Sequence, residues 1–255
     1  MRYKLVALDM DGTLLNDEKR ISRENAEAIA KAAASGITVM VSTGRGIQNI
    51  RAYTDELGLT SPIVAVNGAE VWRSPDELHA RYPLAPDTVR RLIRSGRDKD
   101  VWYWAYTTDG LMTRSSWAEP EWDECVWLKV GYASDNPAKL LELRQWLALD
   151  GEIEVTSSNE TNLELSPAGI TKASGLEQVC RLLGIGLEQT VAVGDGGNDL
   201  SMIRAAGLGV AMGNAQEEVK RTALRVTGTN EEHGVAQLLQ YVMECNAGAV
   251  SVSDN

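Results

Sequence analysis

The chain has 255 residues, 44% hydrophobic and 24% charged, enough to bury a sizeable core in one large domain or two smaller ones. Its net charge of -11 argues against nucleic acid as the main partner, because that footprint is basic, but leaves room for a small anionic substrate held by local cations or a metal. No apolar stretch is long enough to span a bilayer, no signal-type hydrophobic region precedes the first strand, and the scattered Cys125, Cys180 and Cys245 read as reduced thiols, so a cytoplasmic protein without a membrane partner is expected.

Lys4 to Leu8 is an apolar run that reads as a strand buried on both faces, and it leads into Asp9-Met10-Asp11-Gly12-Thr13. Ser22 caps a helix whose apolar stripe is Ala26, Ile29, Ala30 and Ala33, stopped at Gly36. Ile37 to Val41 is a second buried strand, running into Ser42-Thr43-Gly44-Arg45. A helix over Ile47 to Leu57, a stop at Gly58 and a strand over Ile63 to Val66 follow, before Asn67-Gly68 turns the chain. Strand alternating with helix predicts right-handed parallel crossovers.

From Pro83 to Ser166 the pattern changes. A helix near Asp87 to Arg97 precedes strands at Val101 to Tyr106, Leu111 to Arg114 and Trp127 to Ala133. A second helix, with Pro137 in its first turn, runs to Leu149, followed by strands at Ile153 to Ser157 and Asn162 to Leu165. Helices alternating with pairs of strands predict an inserted α+β module. Six of the seven tryptophans fall in it (Trp102, Trp104, Trp117, Trp122, Trp127 and Trp146), where packing of the module's own core competes with lining a ligand pocket or a dimer face. After Lys172 the strand-helix rhythm resumes with a helix to Leu183, a strand at Val191 to Val193 and the loop Gly194-Asp195-Gly196-Gly197-Asn198-Asp199. Short strands at Leu208 to Met212 and Arg225 to Thr227 alternate with helices near Gln216 to Thr222 and Val235 to Cys245, and residues 246–255 read as a flexible tail.

Four strand or helix ends carry the chemistry. Asp9 and Asp11 leave the first strand together, and two neighbouring carboxylates call for a hard cation, usually Mg2+, to offset their repulsion. The hydroxyl of Thr43 and the free N–H at Gly44 can bind phosphoryl oxygens, while the Lys172 ammonium offsets their charge. Asp195 adds a carboxylate toward the metal, and Gly196-Gly197 allows a tight turn. Thr43 alone is also a helix cap, Lys172 alone a solvated charge, and an Asp at a strand end a turn former.

Taken in this order, Asp9-Met10-Asp11-Gly12-Thr13, Ser42-Thr43-Gly44-Arg45, Lys172 and Gly194-Asp195-Gly196-Gly197-Asn198-Asp199 resemble the four motifs of the haloacid dehalogenase superfamily. Asn67-Gly68-Ala69 and Val210-Ala211-Met212-Gly213-Asn214-Ala215 are similar to the Cof-type phosphatases, whose large cap is inserted after the third core strand. Ala173 departs from the pattern, which usually has Gly there. The resemblance implies an α/β fold: a Rossmann-like parallel-sheet core over residues 1–82 and 171–245 and an α+β cap over 83–170 that selects the substrate. It implies a Mg2+-dependent phosphatase of small phosphorylated metabolites, such as sugar phosphates or phosphorylated cofactors, acting as monomer or homodimer. Asp9 would be the nucleophile and Asp11 the acid and base. Mg2+ would sit on Asp9, the Asp11 carbonyl and Asp195. Phosphate would lie against the Met10 backbone, Thr43, Gly44, Lys172 and Asn198, with Asp199 orienting Lys172 or a water behind the metal. A phosphomutase of the same fold and a phosphoacceptor signalling module are the alternatives, and the acid-base Asp11 and the lid argue against the latter.

Overall fold

The computed structural model describes residues 2–118 and 121–249. In chain order the elements are β1 (Leu5–Leu8), α1 (Arg23–Ala34), β2 (Thr38–Ser42), α2 (Arg51–Glu56), β3 (Ile63–Ala65) and the hairpin β4 (Glu70–Ser74) and β5 (Glu77–Arg81). Then come α3 (Pro86–Asp98), β6 (Trp102–Thr107), β7 (Gly110–Thr113), β8 (Trp127–Ala133), α4 (Pro137–Leu147), β9 (Ile153–Thr156) and β10 (Asn162–Pro167). The chain returns through α5 (Lys172–Leu183), β11 (Thr190–Gly194), α6 (Leu200–Ala205), β12 (Leu208–Ala211), α7 (Glu217–Thr222), β13 (Arg225–Val226) and α8 (Gly234–Ala247).

Two sheets result. The larger has the order β13-β12-β11-β1-β2-β3-β4-β5, parallel from β13 to β3 and closed at one edge by the antiparallel hairpin. Strand β1 lies at its centre, where the connections diverge toward β2 on one side and β11 on the other. That switch point opens a crevice at the carboxyl ends of the strands. Leu8 is level with Val41 of β2 and Val193 of β11, so the loops after these three strands start at one height. Strands this apolar need cover on both faces. Ala7, Met40 and Val64 meet Leu176 and Val179 of α5 on one face; Val6, Leu8 and Val39 pack into the cluster containing Leu238 and Val242 of α8 on the other.

The smaller sheet, β7-β6-β8-β10-β9, is antiparallel. Alternation sends Tyr103, Val130, Tyr132, Leu163 and Leu165 toward Leu92, Ile93, Leu140 and Leu143 of α3 and α4. The opposite face carries Trp104, Tyr106, Lys129, Gly131 and Glu164 and turns toward the crevice.

Several local expectations are revised. The buried stripe of α1 is Asn25, Ala28, Ile29 and Ala32, one step round from the predicted Ala26, Ala30 and Ala33, because alanines offer little contrast between faces. The helix expected over Ile47 to Leu57 divides into a 3-10 turn (Ile47–Asn49) and α2. The β4–β5 hairpin and α6 were not expected. Asn246 and Ala247, placed in the tail by composition, end α8; the Asn246 side chain exchanges 2.8 Å hydrogen bonds with the Tyr3 backbone N–H and carbonyl. The rest of the predicted tail, from residue 250, lies outside the described residues. Of the tryptophans, Trp127 is fully buried and stacks with Trp117 and Trp122, Trp104 faces the crevice, and Trp102 and Trp146 are exposed.

Candidate active site

A cleft of about 510 Å³ lies between the two sheets, lined by Asp9, Asp11, Thr43, Gly44, Asp195 and Asn198 from the core and by Trp104, Tyr106, Lys129, Ser158 and Glu164 from the insertion. The sequence-predicted residues therefore converge, with two qualifications. Lys172 lies behind Asp9 and fully buried, and the Met10 side chain is in the hydrophobic core, so only its backbone faces the chemistry.

Asp9 leaves β1 at its carboxyl end and is itself buried. Lys172 opens α5, whose N-cap Thr171 forms a reciprocal capping box with Ser174; this fixes where the lysine starts. Its ammonium donates 2.6 Å hydrogen bonds to Asp9 Oδ1 and to Asp199 Oδ1. The other oxygen of Asp199 accepts the backbone N–H groups of Asp195 and Gly196, both at 3.0 Å. Asp199 thus holds the lysine and shapes the Asp195 loop at once.

Carboxylate oxygens of Asp9, Asp195 and Asp199 lie within 4.8 Å of one another. Three carboxylates share one buried ammonium, and the imbalance shows in their affinities for protons. Burial and the charge of Asp199 push Asp9 up to about 7, against the pull of Lys172. Burial, then Asp9 and Asp199, push Asp195 up to about 8. Burial alone would lower Lys172, but its two carboxylates outweigh that and raise it. Oxygen-rich, compact and short of positive charge, this group fits a hard divalent ion, which would take the place of the extra protons. Gly12 makes room for it: the residue has φ +78°, and a Cβ there would lie 2.4 Å from Asp195 Oδ2.

Asp11 sits at the rim with a half-exposed side chain. Arg45 grips it with two 2.7 Å hydrogen bonds, from Nε to Oδ2 and from Nη2 to Oδ1, and Lys19 adds a third at 2.9 Å. Burial would raise Asp11, but these cations outweigh it and hold the carboxyl down at about 2. The two aspartates two residues apart therefore have opposite proton affinities.

Gly196 and Gly197 make the tight turn expected of them, Gly196 leading into a 3-10 turn over Gly197–Asp199, without left-handed backbone. Their space is also used: a Cβ at Gly196 would lie 2.8 Å from Ser158 O, and one at Gly197 2.9 Å from Ser157 O. The insertion seats its 157–158 backbone on the glycine pair, and Asn198 N donates to Ser157 O at 2.8 Å.

Lys129, Glu164, Trp104 and the side chain of Asn67 were not singled out as site residues. One signal was present: Lys129 and Glu164 are the lone charges of their strands, and both are buried.

The haloacid dehalogenase-like hydrolase family matches residues 6–128 and 119–239 of this chain. A 5-amino-6-(5-phospho-D-ribitylamino)uracil phosphatase of Bacillus subtilis (strain 168) is 40% identical over 238 residues, 93% of this chain and 95% of the relative. Among solved structures, a haloacid dehalogenase-like hydrolase of B. subtilis superposes with TM-score 0.86 at 29% identity, covering 94% of this chain and 99% of the other. A HAD subclass IIB sugar phosphatase superposes with TM-score 0.82 at 25% identity over the same shares.

Proposed function

Since this chain belongs to the haloacid dehalogenase-like hydrolases and is a phosphoric monoester hydrolase, we propose that it releases phosphate from small phosphorylated metabolites with Mg2+ and a phosphoaspartate on Asp9. The observation that carries this reading is the carboxylate cluster of buried Asp9 and Asp199, both bonded to Lys172, with half-buried Asp195, Asp9 facing the cleft.

Asp9 and Asp195, with the Asp11 carbonyl, would hold Mg2+. When bound, the ion would screen the incoming phosphoryl charge and keep Asp9 ionised at neutral pH. Thr43 Oγ1, the Gly44 N–H, Lys172 and Asn198 would receive the phosphoryl oxygens. An Asp9 carboxylate oxygen then attacks phosphorus, and the ester oxygen leaves with a proton from Asp11. Water next attacks the phosphoaspartate, gives its proton to Asp11, and releases phosphate and the free Asp9 carboxylate. A carboxyl held at about 2 is ionised at neutral pH and has no proton to give, so this role requires substrate entry to exchange the Arg45 and Lys19 contacts of Asp11. Residues 83–170 would act as the cap, shedding water and choosing the leaving group.

The relative that acts on 5-amino-6-(5-phospho-D-ribitylamino)uracil makes that compound the first substrate to try, beside sugar phosphates and phosphorylated cofactors. Rapid acid quench of Asp11→Asn with substrate, followed by peptide mass mapping, tests the intermediate. Phosphate on the peptide containing Asp9 is the expected result. A quenched enzyme carrying no phosphate during turnover refutes the covalent route, and transfer of phosphate to a second position of the substrate identifies a mutase.

A further inference from the structure

Lys129 and Glu164 come from neighbouring stretches of the inserted sheet, with exposures of 2% and 7%. Burying such a pair is a doubtful source of stability, because well-packed apolar residues of similar size do as well or better. Their contacts give another reason for their presence. Lys129 Nζ donates to the Gly44 carbonyl at 2.7 Å and to Glu164 Oε2 at 3.2 Å, and lies 5.1 Å from the centre of the Trp104 ring. The Gly44 carbonyl shares a peptide plane with the Arg45 N–H, which donates to Thr43 Oγ1 at 3.3 Å. A Thr43 hydroxyl that accepts this bond keeps its own hydrogen for a phosphoryl oxygen.

Glu164 reaches the other side of the cradle. Its Oε2 accepts a hydrogen bond from Asn67 Nδ2, and its Oε1 accepts from Ser158 Oγ at 3.3 Å. Asn67 Oδ1 in turn accepts from Asn198 Nδ2 at 3.2 Å. Asn67 is held in left-handed backbone, φ 56°, and its N–H donates to the Thr43 carbonyl at 3.0 Å. The network closes directly over Gly44: a Cβ there would lie 3.1 Å from Asn67 Oδ1, 3.2 Å from Lys129 Nζ and 3.4 Å from Glu164 Oε2.

We propose that Lys129 and Glu164 are positioning residues which set the phosphate cradle from outside the core, through Gly44 and Thr43 on one side and Asn67 and Asn198 on the other. The proposal rests on the phosphatase reading above. Phosphate affinity then depends on the insertion being seated, because the core alone lacks the pair that orients both loops.

The test compares wild type with Lys129→Met, Glu164→Gln and the double variant, in Mg2+. Calorimetry measures the Kd of inorganic phosphate, which has no leaving group, and kinetics with an aryl phosphate separates KM from kcat. In Lys129→Met and in the double variant, Kd and KM are expected to rise about tenfold, the scale of one charge-assisted hydrogen bond, with a smaller change in kcat. The double variant leaves no unpaired buried charge, so it carries the test if a single variant fails to fold. Wild-type phosphate affinity in a folded double variant overturns the proposal and leaves the phosphatase intact. Failure of the double variant to fold also overturns it, making the pair a folding device. A wild-type protein that binds no phosphate and turns over no ester removes the phosphatase reading itself.

Discussion

Replacing Lys172 by Met keeps the length of the side chain and removes the one ammonium that Asp9 and Asp199 share. Lys172 is fully buried and both its hydrogen bonds are 2.6 Å long. Without it, three carboxylates within 4.8 Å of each other lose the ammonium that two of them bind. Breaking a buried pair by removing one partner costs about 3–5 kcal/mol. At about 2–4 °C per kcal/mol for a chain of this size, Tm should fall by about 6–20 °C. The penalty depends on pH. Asp9 already titrates at about 7 with the lysine in place, and losing the ammonium moves it higher. At pH 5 both proteins hold Asp9 protonated, so the deficit is reduced to the loss of the Lys172 bond to Asp199. As pH rises through about 7, the wild type gains an ionised Asp9 paired to Lys172 while the variant resists ionisation, so the deficit widens. Thermal melts in chelator at pH 5 and pH 8 measure this. A fall of under 2 °C at pH 8, or a deficit independent of pH, would refute the reasoning.

Metal-free protein should lose Tm as pH rises from 5 to 8, because Asp9 and Asp195 have folded-state values raised to about 7 and 8: their stabilising contribution is present below the unfolded value near 4 and is lost through the folded values. Added Mg2+ should therefore raise Tm more at pH 8 than at pH 5; the reverse order would place the ion elsewhere. Gly12→Ala forces a methyl to 2.4 Å from Asp195 Oδ2 in left-handed backbone, so the Mg2+ concentration for half-maximal rate should rise about 10–100-fold, read from a metal titration. Leu143→Ala empties a fully buried position against the inserted sheet and should cost about 2–5 kcal/mol in denaturant unfolding.

The legible parts of this molecule were those where chemistry or burial restricts residue choice. Strands β1, β2, β3, β11 and β12 of the parallel core are short, mostly apolar runs, and the loops after β1, β2 and β11 carry residues that few other roles require together. The β4–β5 hairpin escaped notice because it is an edge: Glu77, Leu78 and His79 are exposed, and the buried Glu70 reads as surface until Arg81, 2.7 Å away, is brought beside it by the antiparallel pairing. Helix α6 is only six residues long and, unlike the equally short α7, has no acidic residue in its first turn to mark its start. The tight turn at Gly196-Gly197 was legible, but its second reason was not, since the 157–158 backbone that fills the space over the pair comes from another part of the chain. The partners of Lys129 were hidden for the same cause. Gly44 is 85 residues away, and only the packing of one sheet over the other joins them.

The most direct test of the account is release of inorganic phosphate from the metabolite panel and an aryl phosphate, by wild type and Asp9→Asn, with Mg2+ and with chelator. The account predicts release by the wild type in Mg2+ alone, abolished by chelator and by Asp9→Asn in a protein that remains folded. Undiminished release from Asp9→Asn, or full activity in chelator, would contradict it.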